Sequence, residues 1–298
     1  MSLNSRVSNV GESLQLAAPA KVNLSLRILG RRSDGYHDLD TVMQKLDLCD
    51  LVTVSLVDEP GVFLRCPDSD LPEDSTNIAF QAARAFFEIC SLERVGVQIT
   101  LEKRIPIAAG LGGGSSDAGA VLLGLNRLLG TPLSTAMLID LARTLGADVP
   151  FFVTNFGAVR AEGIGDRMTS VPSLQGCRIV LANPGFSVST REVFEKYALT
   201  LAGENSKIKI FRKIIAHPTS CRSINDLESI TLSSYPEIEA LKLDFLAQGA
   251  SLVLMSGSGP TYFGIFPDED GSASTLVRQV VQVLQQRKNV KVFVTQPV

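Results

Sequence analysis

The sequence has few histidines and no paired cysteines. His37 and His217 are its two histidines, and the five cysteines, at 49, 66, 90, 177 and 221, include no C-x-x-C pair. That argues against a structural zinc site, and an odd, scattered set of thiols fits a reducing compartment better than a disulfide framework. There is no excess of basic residues either. Lys plus Arg number 28 against 31 Asp plus Glu, a net charge of −3, which leaves no electrostatic footprint for nucleic acid. An anionic ligand therefore has to be met by local geometry, because the global field is weakly unfavourable. No run reaches the ~18 apolar residues of a membrane-spanning helix. The start, Met1 to Glu12, has no apolar core of a secretory signal. Ser2, Ser5, Arg6 and Ser8 give it some transit-peptide character, but it is short and contains Glu12, so it reads as a terminal tail. These absences predict a cytoplasmic protein, with the plastid stroma left open and no nucleic-acid or membrane partner. They say nothing about oligomeric state.

What is present is a chain of 298 residues, 45% hydrophobic and 20% charged, enough for a substantial core and two domains. Val22, Leu24, Leu26 and Ile28 alternate with Lys21, Asn23, Ser25 and Arg27, so Leu14 to Leu29 reads as a strand with one buried face. A polar loop follows from Gly30 to Asp38. Further strands are expected at Leu51 to Val57, Val95 to Leu101, Arg178 to Leu181, Leu252 to Met255, Tyr262 to Phe266 and Val290 to Thr295. Helices are expected from Asp74 to Ile89, with Ser75 or Thr76 near the cap, and from about Ala118 to Leu129, stopped by Gly130 and Pro132. Another begins near Ser134 with Leu138, Leu141, Ala142 and Leu145 on its apolar face and ends at Gly146, and a last one spans Thr275 to Gln286. Glycines and prolines recur between Gly157 and Pro172, which predicts a domain junction there and domains over 1–165 and 166–298. Helices and strands are interspersed without regular βαβ units, so the fold class is α+β rather than a doubly wound sheet.

The segment with the most chemistry is Ile-Pro-Ile-Ala-Ala-Gly-Leu-Gly-Gly-Gly-Ser-Ser-Asp, from Ile105 to Asp117, which runs directly into a helix. Glycine lets backbone approach an anion, and a helix start presents free N–H groups and partial positive charge. Ser115 and Ser116 can cap the helix, donate to a phosphate or ligate Mg²⁺. The run is not a Walker A loop, because no lysine precedes the serines, and its register does not match G-x-G-x-x-G. Taken alone, a phosphate site and a flexible loop with an ordinary serine cap both remain open. Asp117 can help hold Mg²⁺ or point away as a capping residue, and the second role is preferred.

Five blocks in order carry a resemblance. They are Ala18-Pro-Ala-Lys-Val-Asn-Leu-Ser-Leu26, Asp34-Gly-Tyr-His37, Pro106-Ile-Ala-Ala-Gly-Leu-Gly-Gly-Gly-Ser-Ser116, Gly146-Ala-Asp-Val-Pro-Phe-Phe152 and Met255-Ser-Gly-Ser-Gly-Pro260. Together they resemble the GHMP kinases, named for galactokinase, homoserine kinase, mevalonate kinase and phosphomevalonate kinase. The triple glycine Gly112-Gly113-Gly114 is similar to one branch, whose acceptor is 4-diphosphocytidyl-2-C-methyl-D-erythritol. The resemblance implies a two-domain α+β fold, an N-terminal ATP-binding domain, a C-terminal α+β domain and an active-site cleft between them. It implies phosphorylation of the acceptor's tertiary 2-hydroxyl with ATP and Mg²⁺, in the non-mevalonate route to isoprenoid precursors. It makes Lys21 and Asp148 the catalytic pair. It assigns ATP to Pro106, Ala109, Gly110, Leu111, Gly112, Gly113, Gly114, Ser115 and Ser116, with Ser116 also the candidate metal ligand. Asn23, Tyr36, His37, Phe194 and Thr190 would contact the acceptor, the last two through the looser run from Asn183 to Phe194.

Phosphoryl transfer to an alcohol needs an acceptor for the hydroxyl proton and positive charge near the transferred group. The resemblance implies that Asp148 and Lys21 supply those two functions. Without the resemblance, Asp148 is a loop aspartate making a turn bond and Lys21 a solvated residue on a strand's polar face. Lys21 and Asn23, two residues apart, share that face. Tyr36 and His37, in the polar loop, can stack on and read a nucleobase; a loop tyrosine covering the core edge is the plainer reading. Phe194 offers a second aromatic surface or packs a helix against the core. The Ser256–Pro260 turn supports the site or is a bare tight turn. Two other functions compete. One is a GHMP kinase of homoserine or mevalonate type, against which the Asp34–His37 run and the triple glycine speak. The other is a non-catalytic, ligand-sensing regulator, against which the presence of both Lys21 and Asp148 speaks.

Overall fold

The computed structural model describes residues 11–32, 36–92, 95–203, 224–268 and 273–298, with backbone alone at 199–203. Asp34, Gly35, His217, Cys221 and the tail up to residue 10 lie outside the described residues. The chain forms two compact units. One comprises the chain up to Lys21, Lys45–Ile107 and Gly112–Val159; the other comprises Val22–Gln44, Ala108–Leu111 and the chain from Arg160 onward. Two long strands, β1 (Ser13–Arg31) and β2 (His37–Val57), pair with each other and contribute residues to both units.

In the first unit, the second half of β2 is antiparallel to β4 (Gly96–Glu102), with Leu51 opposite Glu102 and Val57 opposite Gly96; β3 (Gly61–Arg65) runs parallel on the other side of β4. The alternation of Val52, Val54 and Leu56 with polar residues, matched by Val97, Ile99 and Leu101, turns one face of this sheet into the core. Against it pack α1 (Ile78–Cys90), α2 (Gly113–Leu128), α3 (Thr135–Leu145) and α4 (Val149–Val153), through Ala82, Phe86, Val121, Leu122, Leu125, Leu138 and Val149.

Helix α1 starts later than its sequence suggests. Asn77 is its cap, accepting from the Ala79 N–H, while Asp74 is used in a turn, accepting from both the N–H and the hydroxyl of Thr76. Ser134 caps α3 as expected, through the Met137 N–H. The stretch from Gly157 to Pro172, expected as a domain junction, carries two strands, β5 (Ala158–Gly163) and β6 (Arg167–Val171), and the division between the units falls within it, at Val159 and Arg160.

In the second unit the order runs from β2 to β5 and on to β6, and Arg160 forks onto both carboxylate oxygens of Asp40, at 2.8 and 3.0 Å. A separate four-stranded antiparallel sheet has the order β10 (Lys291–Thr295), β7 (Cys177–Asn183), β9 (Tyr262–Pro267), β8 (Leu252–Met255). Among the described residues its α-helices are α5 (Thr190–Gly203), α6 (Glu228–Ser234), α7 (Glu239–Ala247) and α8 (Ala273–Gln285). Its core includes Val180, Ala182, Phe245, Tyr262, Phe266, Val280 and Leu284. The fold is α+β. Among the described residues no helix is long and apolar enough to cross a membrane.

Candidate active site

The glycine-rich segment leaves β4 and turns into α2 through alternating backbone handedness. Ala108, Gly110 and Gly112 have φ of 49°, 77° and 72°, and the residues between them do not. Alternation of this kind turns successive N–H groups to one side and makes a concavity for an anion. Gly112 immediately precedes α2, and no side chain caps that helix. The N–H groups of Gly113, Gly114 and Ser115, with the positive end of the helix dipole, are therefore available to a ligand, while that of Ser116 donates to the Gly112 carbonyl. Glycine is required twice over. A Cβ at Gly112 would lie 2.9 Å from Cγ of Lys21 and 3.0 Å from Cζ of Phe152, and one at Gly110 would lie 2.1 Å from the Ser256 carbonyl oxygen. Ala109 and Leu111 are buried, so only their backbone can meet a ligand.

Two sequence expectations change here. Ser115 and Ser116 do not cap α2; they lie in its first turn, and the Ser116 hydroxyl is buried with no partner in the protein. Asp117 is neither a cap nor turned away. It is buried, and its Oδ2 accepts from Lys103 Nζ at 2.5 Å. Lys103 also donates to Asp50, a second buried carboxylate. Burial pushes the Asp117 carboxyl up to about 7; Lys103 opposes this and Asp50 adds to it.

Lys21 and Asp148 meet in the first unit. Lys21 Nζ stands 3.4 Å from Asp148 Oδ2, with the lysine side chain 5% exposed and the aspartate 35% exposed. The expected one-sided burial of β1 fails at this point, where Ala20, Lys21, Val22 and Asn23 are all buried, so Lys21 is not on a solvated face. Asp148 directly precedes α4 and makes no capping bond there, which leaves its carboxylate to the lysine and to solvent. Phe152 of α4 and Gly112 at the head of α2 flank the Lys21 stem. The ion pair, Gly112 and the start of α2 thus lie together in the first unit.

The residues expected to meet the acceptor belong to the second unit. His37 is not in a polar loop; it is the first residue of β2, buried, with Nε2 unpartnered in the protein. Burial, then the neighbouring Arg31 charge, lowers its pKa, so the ring is neutral at pH 7. Phe194 lies 5.4 Å from it between ring centroids, and Tyr197, one turn on, meets it edge-on at 6.3 Å. Phe194 also packs against the core of this unit. Tyr36 is 63% exposed and does not cover the core edge. Thr190 shares a hydrogen bond of 2.8 Å with the Ser258 hydroxyl. Asn23 donates from Nδ2 to Thr41 Oγ1 and from its backbone N–H to Ser256 Oγ, which donates in turn to the Gly110 carbonyl.

The Ser256–Pro260 turn is therefore no bare turn. Besides these bonds, Asn225 donates to the carbonyls of Met255 and Gly257, and Thr231 to that of Ser258. Sequence reasoning missed Asn225, Thr41 and Tyr197, whose partners lie far away in the chain; only the spacing of Thr190, Phe194 and Tyr197 on one helix face hinted at the last. Among the described residues no group of three or more His, Cys, Asp or Glu side chains could hold a metal ion. The unpartnered Ser116 hydroxyl at the head of α2 can offer a divalent cation one oxygen ligand.

Two family descriptions match the chain, GHMP kinases N terminal domain over residues 77–155 and GHMP kinases C terminal over residues 209–284. The chain is 45% identical over 301 aligned residues to the 4-diphosphocytidyl-2-C-methyl-D-erythritol kinase of Desulfotalea psychrophila, covering 98% of each. It is 46% identical to the enzyme of that name from Geobacter sulfurreducens, covering 88% of this chain and 92% of that one. A crystal structure of 4-(cytidine 5'-diphospho)-2C-methyl-D-erythritol kinase superposes with a TM-score of 0.73 at 34% identity, over 95% of this chain and 99% of the other. Homoserine kinase from Cytophaga hutchinsonii shares the fold, with a TM-score of 0.68 at 19% identity over 96% and 95% of the two chains. With its glycine turn at the head of α2 and a lysine–aspartate pair beside it, the chain belongs to the GHMP kinases, and within them to the 4-diphosphocytidyl-2-C-methyl-D-erythritol kinase family.

Proposed function

We propose that this chain transfers the γ-phosphoryl group of ATP to the tertiary 2-hydroxyl of 4-diphosphocytidyl-2-C-methyl-D-erythritol, a step of the non-mevalonate route to isoprenoid precursors. The observation that carries the reading is the Lys21–Asp148 pair beside Gly112 and the uncapped start of α2. Asp148 takes the hydroxyl proton as the acceptor oxygen bonds to the γ-phosphorus and the bond to the ADP oxygen breaks. Lys21, buried and held against the aspartate, orients that carboxylate and adds positive charge where the transferred group gains negative charge. Backbone N–H groups of Gly110 to Ser115 and the Ser116 hydroxyl hold the ATP phosphates, and Pro106, Ala109 and Leu111 shape the turn. The Ser116 hydroxyl would hold Mg²⁺ from the protein side, and the ion when bound would neutralise phosphate charge.

His37 and Phe194 read and stack the cytosine of the acceptor, with Tyr36 at the surface, Asn23 and Thr190 completing its contacts. The neutral His37 ring with an unpartnered Nε2 supports this, because a neutral imidazole can donate or accept at a base edge. The same aromatic cluster favours a cytidine acceptor over homoserine or mevalonate, which have no base to stack. The two family matches support an ATP-binding domain over 1–165 and a second domain over 166–298. The free thiols of Cys49, Cys66, Cys90 and Cys177 support a cytoplasmic site of action.

The test pairs wild type with Asp148→Asn. Wild type is expected to release ADP in the presence of the cytidine acceptor, and the variant to lose at least ~10²-fold in kcat with ATP affinity retained. A near-normal rate in the variant would remove Asp148 from the reaction, and a wild type that binds ATP but never turns over would remove the reading itself.

A further inference from the structure

Asp50, Lys103 and Asp117 form a buried cluster that phosphoryl transfer does not use. The side chains of Asp50, Lys103 and Asp117 are 0%, 7% and 2% exposed. Lys103 Nζ donates to Oδ2 of Asp50 and to Oδ2 of Asp117, the latter at 2.5 Å. The other oxygen of Asp50 accepts from the backbone N–H groups of Arg104, at 2.5 Å, and Ile105, at 2.8 Å.

The places of these residues in the chain give the cluster its meaning. Lys103 stands just before the glycine-rich segment and Asp117 at its end, fourteen residues on. One ammonium therefore grips both ends of the segment, and Asp50, on β2, holds the N–H of Ile105, its first residue, and that of Arg104 just before it. Stability alone does not explain the arrangement. A buried cation shared by two carboxylates is expensive to desolvate, and apolar side chains of the same volume commonly do as well or better. What apolar side chains cannot supply is directional bonding to one ammonium and to two successive backbone N–H groups.

We propose that Asp50, Lys103 and Asp117 are positioning residues, a staple that holds the base of the glycine-rich loop in the shape that receives the ATP phosphates. Asp117 acts by accepting from Lys103 and touches neither nucleotide nor metal. A loop released at its base spreads its N–H groups over many conformations, and ordering them is charged against nucleotide affinity. The inference rests on the glycine-rich loop being the phosphate site.

Calorimetric titration of ATP with Mg²⁺ into wild type, Asp117→Leu and Asp117→Asn tests it. Asp117→Leu, which cannot accept from Lys103, is expected to raise the Kd for ATP at least about tenfold, and Asp117→Asn, whose amide oxygen still accepts, to stay within about threefold of wild type. In turnover the Leu variant should raise KM for ATP and leave KM for the alcohol unchanged. If the Leu protein does not fold, Asp117→Ser, too short to reach Lys103 and able to admit a water, takes its place with the same expectation. Wild-type affinity in the Leu or Ser variant, or equal losses in the Asn and Leu variants, would overturn the staple. ATP binding without turnover in wild type would strike at the acceptor while these affinities still decide the staple; a wild type that does not bind ATP would end both.

Discussion

Lys45 lies buried on β2, its ammonium 4.7 Å from the centre of the Phe151 ring and donating to the Thr154 carbonyl at 2.8 Å, where α4 ends. Burial pushes its pKa down from 10.5 to about 8. The unfolded chain therefore binds one more proton than the folded one between pH 8 and 10.5, so this residue's burial penalty is fully present below pH 8 and relieved as pH rises through that window. Relative to Lys45→Met, wild type should gain up to about 3 kcal/mol of stability across it. Urea unfolding of both proteins at pH 7.5 and pH 10 checks this, and a stability difference equal at the two pH values would show that Lys45 is not strained by burial. The sequence offered no sign of this residue. A lysine between Gln44 and Leu46 reads as solvated, and only the three-dimensional neighbours Phe151 and Thr154 reveal otherwise. Lys21 was legible because it stands in a recognisable block, although its burial was not.

Among the elements, α2 and α4 govern how the catalytic pair is presented. They touch where Gly119 faces Phe152: a Cβ at Gly119 would lie 2.7 Å from Phe152 Cβ and 3.2 Å from its backbone carbonyl carbon. Alanine is the better helix former by about 1 kcal/mol, but an overlap with backbone cannot relax by rotating a side chain, and overpacking of this kind costs about 1–3 kcal/mol. Gly119→Ala should thus lower the melting temperature and, because Asp148 directly precedes α4, reduce kcat as well. A variant with wild-type melting and turnover would show that the packing of the two helices is looser than these distances imply. Where apolar period was strong, as in α3, β4 and β9, the elements were readable from sequence. The first half of β2 was not, because it buries Thr41, Gln44 and Lys45 and so hides its alternation under polar residues. Strands β5 and β6 were missed because glycines and prolines there pointed to a domain junction, while Gly163 and Gly165, with φ of 71° and 104°, are needed for the turn between the strands.

At the scale of the whole molecule, the order of the five sequence blocks identified the family and the α+β class, since local segments and their order survive in a sequence. Links between distant segments do not. The grip of Lys103 on Asp50 spans 53 residues, and the Asn225 bonds to the Ser256 turn span 30 and 32. The Asp117 cap expected from sequence failed for this reason, because the preference of acids for helix starts is a local rule and its partner is brought by the fold. The central claim concerns which alcohol is phosphorylated. It is tested most directly by ADP release from ATP and Mg²⁺ with 4-diphosphocytidyl-2-C-methyl-D-erythritol, homoserine and mevalonate offered separately. Turnover with the cytidine compound alone is the predicted result; turnover with homoserine or mevalonate in its place would contradict the roles given to His37, Phe194 and Tyr36.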